Sequence, residues 1–346
     1  MRPNLHPRLV NDRFGDPGLF VDMLHRRDAL LFDIGDVSPL SARDLLRVGH
    51  LFISHTHIDH FIGFDRLLRL VVGREKRIEM VGPAGFADRV HHKLQAYAWD
   101  LVDRYDLDLV FDITELHEGG ATARARFSFK AAFAREELAG GHTEGGVVAR
   151  GDGFEVRAAV LEHHGPCLGF AVVEPLHVNI WKNRMEERRL AAGAWLQPLK
   201  QAVLDGRGDD WPIALPDGGT AALGEVRDLL SVGPGQKIAY VTDVADTPGN
   251  RVAIAELARN ADTLFIESCF AAADAEQARA RRHLTTAAAG EIARAAGARR
   301  VEPFHFSPRY EGEEERMLGE VAQAFASGRP ACPPPDEENR PARLSR

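Results

Sequence analysis

Cysteine is scarce. The three present (Cys167, Cys269 and Cys332) are odd in number, widely spaced and without any C-x-x-C pair. That excludes a disulfide scaffold and fits reduced thiols. No apolar run approaches the ~20 residues that cross a bilayer. The first residues, Met1 to Arg8, hold no apolar h-region, so the expectation is a cytoplasmic protein without a secretory signal. An excess of positive charge is missing too. The formal net charge of −8 excludes a general nucleic-acid coat but leaves room for a locally basic groove. There is no glycine-rich phosphate loop and no internal repeat. With 45% hydrophobic and 27% charged residues among 346, the chain has ordinary globular composition and enough length for a sizeable core.

What is present is a dense group of metal-ligand side chains. The apolar run Leu51-Phe52-Ile53 leads into Ser54-His55-Thr56-His57-Ile58-Asp59-His60. A helix would send residues two apart to different faces, so this spacing predicts a strand end entering a turn. There the side chains can converge, and imidazole with carboxylate suits a zinc-type ion. The stretch is half of a metal site. Just beyond it, Phe61, Phe64, Leu67, Leu68, Val71 and Val72 recur at helical spacing, predicting one helix from about Asp59–His60.

Other strand exits carry similar chemistry. A period-two strand from Phe154 ends at Leu161-Glu162-His163-His164-Gly165-Pro166, and Lys237–Val241 runs to Asp243. The strand around Leu264 ends at Glu267, and the one after Ala298 ends near His305. Arg8–Val10 and Leu19–Val21 suggest short edge strands, Phe86–Leu101 a helix, and Thr285 or Thr286 an N-cap before Ala287–Ala296. Side chains gathered from separate strand ends at one rim is how alternating β/α folds assemble sites. Residues 177–210 change character and suggest an inserted arm in a single domain spanning 1–327. The Pro- and charge-rich tail 328–346 is expected to be disordered.

In this order the pieces resemble the metallo-β-lactamase superfamily, and within it the ribonuclease Z branch of zinc phosphodiesterases. They are Ser54–His60, Leu161-Glu-His163, Val241-Thr-Asp243, Glu267, His283-Leu-Thr-Thr286 and His305-Phe-Ser-Pro-Arg-Tyr310. The first motif is superfamily-wide; the His283 and His305–Tyr310 segments are more specific to the branch. The resemblance implies an α/β fold, a four-layer αββα sandwich of two mixed sheets with an inserted arm. It implies two Zn2+ ions, with Mn2+ as a substitute. His55, His57 and His163 would hold one ion, and Asp59, His60 and His305 the other, with Asp243 bridging. His163 is preferred to His164 by its place after Leu161-Glu162. Asp59 would position the attacking water. His283 would be general acid to the leaving ribose oxygen, with Glu267 orienting it and keeping it charged. Ser307 and Arg309 would hold substrate phosphate. The implied function is 3′-end processing of precursor transfer RNA by a homodimer.

Three features depart from the branch. Gly193-Ala194-Trp195 stands where the arm usually carries Gly-Pro, Ile58 stands where Gly is common, and residues 1–28 lack the glycine-rich segment. The arm's excess of three positive charges from His177 to Lys200 falls to one by Asp210, a weak phosphate-binding signal. Two alternatives therefore accompany the nuclease. One is a hydrolase of small phosphodiesters or other esters; the other is a non-catalytic metal- or RNA-binding protein, which would have no use for His283.

Overall fold

The structure, a computed structural model, describes residues 4–24, 26–151, 153–174 and 176–327. The tail expected from residue 328, including Cys332, lies outside the described residues. The first sheet is a run of eight strands in sequence order. They are β1 (Leu5–Leu9), β2 (Leu19–Met23), β3 (Ala29–Phe32), β4 (Val48–Phe52), β5 (Lys76–Pro83), β6 (Leu109–Leu116), β7 (Ala121–Ser128) and β8 (Arg135–His142). Strands β3 to β6 run parallel and the flanking strands antiparallel. The central strands are near-continuous apolar runs because both of their faces are covered. Of the two strands expected at an edge only β1 is one; β2 lies between β1 and β3, not at the rim that its short apolar run suggests.

Helices on the outer face are α1 (Ala42–Arg47), α2 (Ile58–Phe61), α3 (Phe64–Val71) and α4 (Phe86–Gln95). Ser41 caps α1 by accepting from the Asp44 amide, as its hydroxyl predicts. The single helix expected after the His-rich stretch is two, broken at Gly63. There a Cβ would come within 2.2 Å of the Gly35 carbonyl, so a tertiary contact overrides continuous apolar spacing. Helix α4 stops at Gln95, short of Leu101, where the Trp99 indole donates to the Leu94 carbonyl at 2.8 Å.

The second sheet starts with β9 (Val147–Gly151), β10 (Phe154–Glu162) and β11 (Pro166–Val173). An excursion follows: β12 (Leu176–Ile180), α5 (Lys182–Glu187), α6 (Leu196–Leu204), β13 (Pro212–Ala214), β14 (Thr220–Ala222), α7 (Leu223–Val226) and β15 (Leu230–Pro234). The chain returns as β16 (Lys237–Val241), α8 (Pro248–Leu257), β17 (Thr263–Glu267), α9 (Ala275–Arg281), α10 (Thr286–Ala295), β18 (Val301–Phe304) and α11 (Glu314–Ala326). Its order is β18-β17-β16-β11-β10-β9, parallel among β16 to β18 and antiparallel elsewhere. Both sheets are therefore mixed.

Three apolar layers hold this together. One lies between the first sheet and its helices, with Leu31, Leu51, Phe64 and Phe111. A second fills the space between the sheets, with Phe32, Phe52, Phe170 and Tyr240. A third lies under α8 and α10, with Ile254, Ile266 and Ile292. This is the αββα sandwich. The excursion closes through pairing of β12 with β15 and has its own core of Trp195, Leu199, Ile213 and Leu229. It runs to Pro234, beyond the 177–210 span suggested by composition.

Candidate metal centre

The carboxyl ends of β4, β10, β16, β17 and β18 meet at one rim. His55 and His60 are buried, Asp59 half-buried and His57 exposed. His163 is 2% exposed and Asp243 3%. Donor atoms of His55, His57, His163 and Asp243 lie within 4.8 Å of one another, as do those of Asp59, His60 and His305. Asp243 divides between the two groups. Its Oδ2 is 3.6 Å from both His55 Nε2 and His163 Nε2. Its Oδ1 is 3.4 Å from His60 Nε2 and 3.0 Å from His305 Nε2.

The far nitrogen of three of these rings is held by another group. His60 Nδ1 sits 3.0 Å from Asp33 Oδ2, His55 Nδ1 3.1 Å from Ser54 Oγ, and His163 Nδ1 2.9 Å from the Arg282 carbonyl. Each bond directs the opposite nitrogen inward, the usual way ligand imidazoles are oriented. Asp33 joins the site from the end of the strand before the His-rich stretch. Wholly buried, it also accepts from the Ser54 amide and hydroxyl at 2.7 and 2.8 Å and from the Tyr240 hydroxyl at 2.9 Å. The available signal was a carboxylate closing an apolar strand, Leu31-Phe32-Asp33.

The backbone is shaped for this convergence. Asp33, Asp243, Arg282 and His305 all have positive φ, at 52°, 39°, 57° and 58°, a conformation tolerated mainly where surrounding structure enforces it. Gly35 allows the loop bearing Asp59 to pass beneath it, since a Cβ there would sit 2.2 Å from the Asp59 carbonyl.

Charge follows geometry. Burial drives His55 down to about 2 and His163 to about 4, against the pull of Asp243. Burial works the same way on His60, but Asp243 and Asp33 on either side raise it well above its ordinary value. Burial would raise Asp59, yet His60 beside it brings it down to about 2. Among the described residues, the Nε2 atoms of His55 and His60 are buried without a hydrogen-bond partner. Orphaned imidazole nitrogens aimed at a shared carboxylate are what a divalent cation satisfies. The residues present fit that group.

His283 and Glu267 stand at the edge. His283 Nδ1 is 3.2 Å from Glu267 Oε1, and its ring is 5.0 Å from that of His163 and 5.9 Å from that of His305. Burial lowers the imidazole, but the fully buried Glu267 lifts it to about 9. Thr285 caps α10 by accepting from the Ala288 amide at 3.1 Å, which anchors the segment just after His283. His164 is exposed, its ring 4.5 Å from that of His163, outside the converging set. Arg309 lies over the rings of Phe270 and Tyr310 and donates to Gln277 Oε1. Ser307 donates its amide to the Cys269 carbonyl at 3.0 Å.

Comparisons with known proteins bear on the family and the fold. A family profile described as a beta-lactamase superfamily domain matches residues 220–306. Ribonuclease Z of Deinococcus radiodurans is 32% identical over 304 residues, covering 86% of this chain and 87% of the relative. The chain belongs to the ribonuclease Z family. Ribonuclease Z of Geobacillus kaustophilus is 33% identical, covering 85% of this chain and 82% of the relative. Among solved structures, the short form of human tRNase Z superposes with a TM-score of 0.52 at 19% identity, covering 89% of this chain and 92% of that one. The metallo-beta-lactamase fold protein YhfI from Bacillus subtilis gives 0.53 at 14% identity, covering 92% of each. The fold is thus the metallo-β-lactamase one, and the family is one of metal-dependent hydrolases. No helix among the described residues is long and apolar enough to cross a membrane.

Proposed function

We propose that this chain is a two-zinc endoribonuclease that removes 3′ trailers from precursor transfer RNA, acting in the cytoplasm as a homodimer. The observation that carries the proposal is the division of Asp243, one oxygen facing His55 and His163 and the other facing His60 and His305. The relatives named ribonuclease Z, at about a third identity over most of the chain, support the substrate.

In this reading His55, His57 and His163 would hold one ion and Asp59, His60 and His305 the other, with Asp243 reaching both groups. Zinc suits the donor set and manganese substitutes. When bound, such a pair lowers the pKa of water and stabilises charge on both sides of an in-line displacement at phosphorus. The side chains do the remaining work. Asp59, half-buried and ionised, accepts a hydrogen bond from the attacking water and aims it. His283 keeps its Nδ1 proton on Glu267 and presents its Nε2 proton to the departing ribose oxygen, so that the oxygen leaves as a hydroxyl. Ser307 and Arg309 steady phosphate oxygens, which requires Arg309 to leave Gln277.

The test is purified protein with a precursor carrying a 3′ extension, its metal content measured on the same sample. Release of the trailer with zinc or manganese is the expected result. Turnover of a small chromogenic phosphodiester without precursor cleavage would instead favour a small-substrate hydrolase. One observation leans that way: Arg184, Arg188, Arg207 and Arg227 of the excursion are engaged within it. Arg188 pairs with Asp228 at 2.7 Å, and Arg227 with Asp209 at 2.7 Å.

A further inference from the structure

Beside the converging histidines lies a second group of ligand types with no part in the proposed reaction as a whole. Donor atoms of Glu267, Cys269 and His283 lie within 4.8 Å of one another. The Cys269 side chain is about nine-tenths buried, at 9% exposure, and is a free thiol. Its amide donates to Glu267 Oε2 at 3.3 Å and its carbonyl accepts from Ser307, but among the described residues its sulfur has no hydrogen-bond partner. A carboxylate and a sulfur at the end of β17 facing an imidazole from between α9 and α10 are not a packing requirement. Phe270 and Ala278 beside Cys269 would be served equally by an apolar side chain.

We propose that Glu267, Cys269 and His283 form a third metal site, selective for thiophilic divalent ions such as zinc and cadmium, whose occupancy stops the reaction. Around a tetrahedral zinc, ligand atoms lie about 3.3–3.8 Å apart, from bond lengths near 2.0–2.3 Å. The existing 3.2 Å between Glu267 Oε1 and His283 Nδ1 is already close to one such edge. The sulfur starts within 4.8 Å of both. A thiolate in the set disfavours magnesium and manganese and favours zinc or cadmium.

The consequence rests on the reading of His283 as proton donor. Coordination through either ring nitrogen removes that atom's proton, and the thiol and the imidazolium each release one to solvent. At Nδ1, the atom beside Glu267, this leaves a neutral ring whose Nε2 proton could depart only by forming an imidazolate, so His283 no longer serves as the acid for the leaving oxygen, and Glu267 no longer orients it. Low zinc would support turnover and high zinc would suppress it, through different residues.

The experiment uses full-length, manganese-loaded protein titrated with cadmium. Cadmium bound per chain, the ultraviolet thiolate-to-cadmium charge-transfer band and the rate on a chromogenic phosphodiester are followed together. The wild type is expected to take up one cadmium that brings the band, with the rate falling in step. Cys269→Ser and Cys269→Ala should lack the band and need at least tenfold more cadmium for the same fractional loss. Cys167→Ser, the control for the other buried thiol, should behave as wild type. A band and inhibition unchanged in both Cys269 variants would overturn the site. A band that forms with no loss of rate would overturn its inhibitory role. Failure to cleave precursor RNA bears only on the substrate, because band and stoichiometry are read without it.

Discussion

The rim at the sheet ends and the excursion from β12 to β15 are built on opposite plans. At the rim, Asp33 alone receives four hydrogen bonds from Ser54, His60 and Tyr240, all inside the protein. Imidazoles there are held from behind, and among the described residues the inner nitrogens of His55 and His60 are buried without a hydrogen-bond partner. In the excursion the paired charges are at the surface and meet partners of the same unit. Arg188 and Asp228, 42% and 46% exposed, form an ordinary surface pair, and the Arg184 guanidinium lies 5.8 Å from the Trp181 ring. One region has buried valence waiting for a ligand; the other is a small self-contained unit. Chemistry belongs to the first. Discrimination among substrates, if the excursion supplies it, falls to exposed cations such as Lys182 and Arg189 or to side chains that first break their own pairs.

The sharpest way to test this contrast is to remove the shared carboxylate. Asp243→Ala should lose both ions and all measurable turnover while the excursion stays folded, checked by metal analysis and by near-ultraviolet circular dichroism of its tryptophans. His57→Ala should likewise lose metal, and two full ions in that variant would contradict the ligand set. Next in size is His283→Ala. It should keep its metal and lose roughly 10²–10⁴-fold in rate, the usual worth of a positioned general acid. Full rate on every substrate would remove the assigned role.

A smaller effect is expected one layer out. Asp33→Asn keeps the shape but weakens the grip on His60, and metal affinity should fall about 10–100-fold, as for other groups behind a ligand histidine. Competition with a chelator measures this. Unchanged affinity would mean that the buried network around Asp33 serves folding alone.

The pH profile gives a fourth test. Glu267 holds His283 protonated up to about 9 in the metal-free protein, and nearby cations lower that value. The alkaline limb of the rate should therefore fall at or below about pH 9, and Glu267→Gln should move it to lower pH. The linkage has the same sign. A histidine raised on folding stabilises the native state below its unfolded value near 6.5, and that contribution fades as pH rises through about 9. The smallest effect belongs to the excursion. Arg188→Ala should cost about 0–1 kcal/mol of stability, as exposed pairs do. It should leave small-substrate turnover unchanged, so any effect on precursor cleavage alone would assign the unit a substrate role.

Much of the rim was legible because its spacing is chemically unusual. Histidines two apart after an apolar run have few other uses, and strand exits show as apolar runs ending in His, Asp or Glu. The choice of His163 over His164 was a different matter, since sequence cannot say which of two adjacent rings turns inward. The turn back to Gly165, where the His163 amide donates to the Gly165 carbonyl at 3.0 Å, sets that direction. Asp33 and Tyr240 were not singled out because buried polar groups inside apolar strands leave no periodic mark. The break at Gly63 and the extent of the excursion depended on contacts distant in sequence: Gly35 against Gly63, and β12 against β15. Local pattern does not carry such contacts.

The central claim is that Asp243 stands between two divalent ions. Anomalous diffraction from crystals of the zinc-loaded protein tests it most directly. The account predicts two peaks, one against His55, His57 and His163 and one against Asp59, His60 and His305, with an oxygen of Asp243 at each. A single peak, or one that draws in His164 in place of His163, would contradict it.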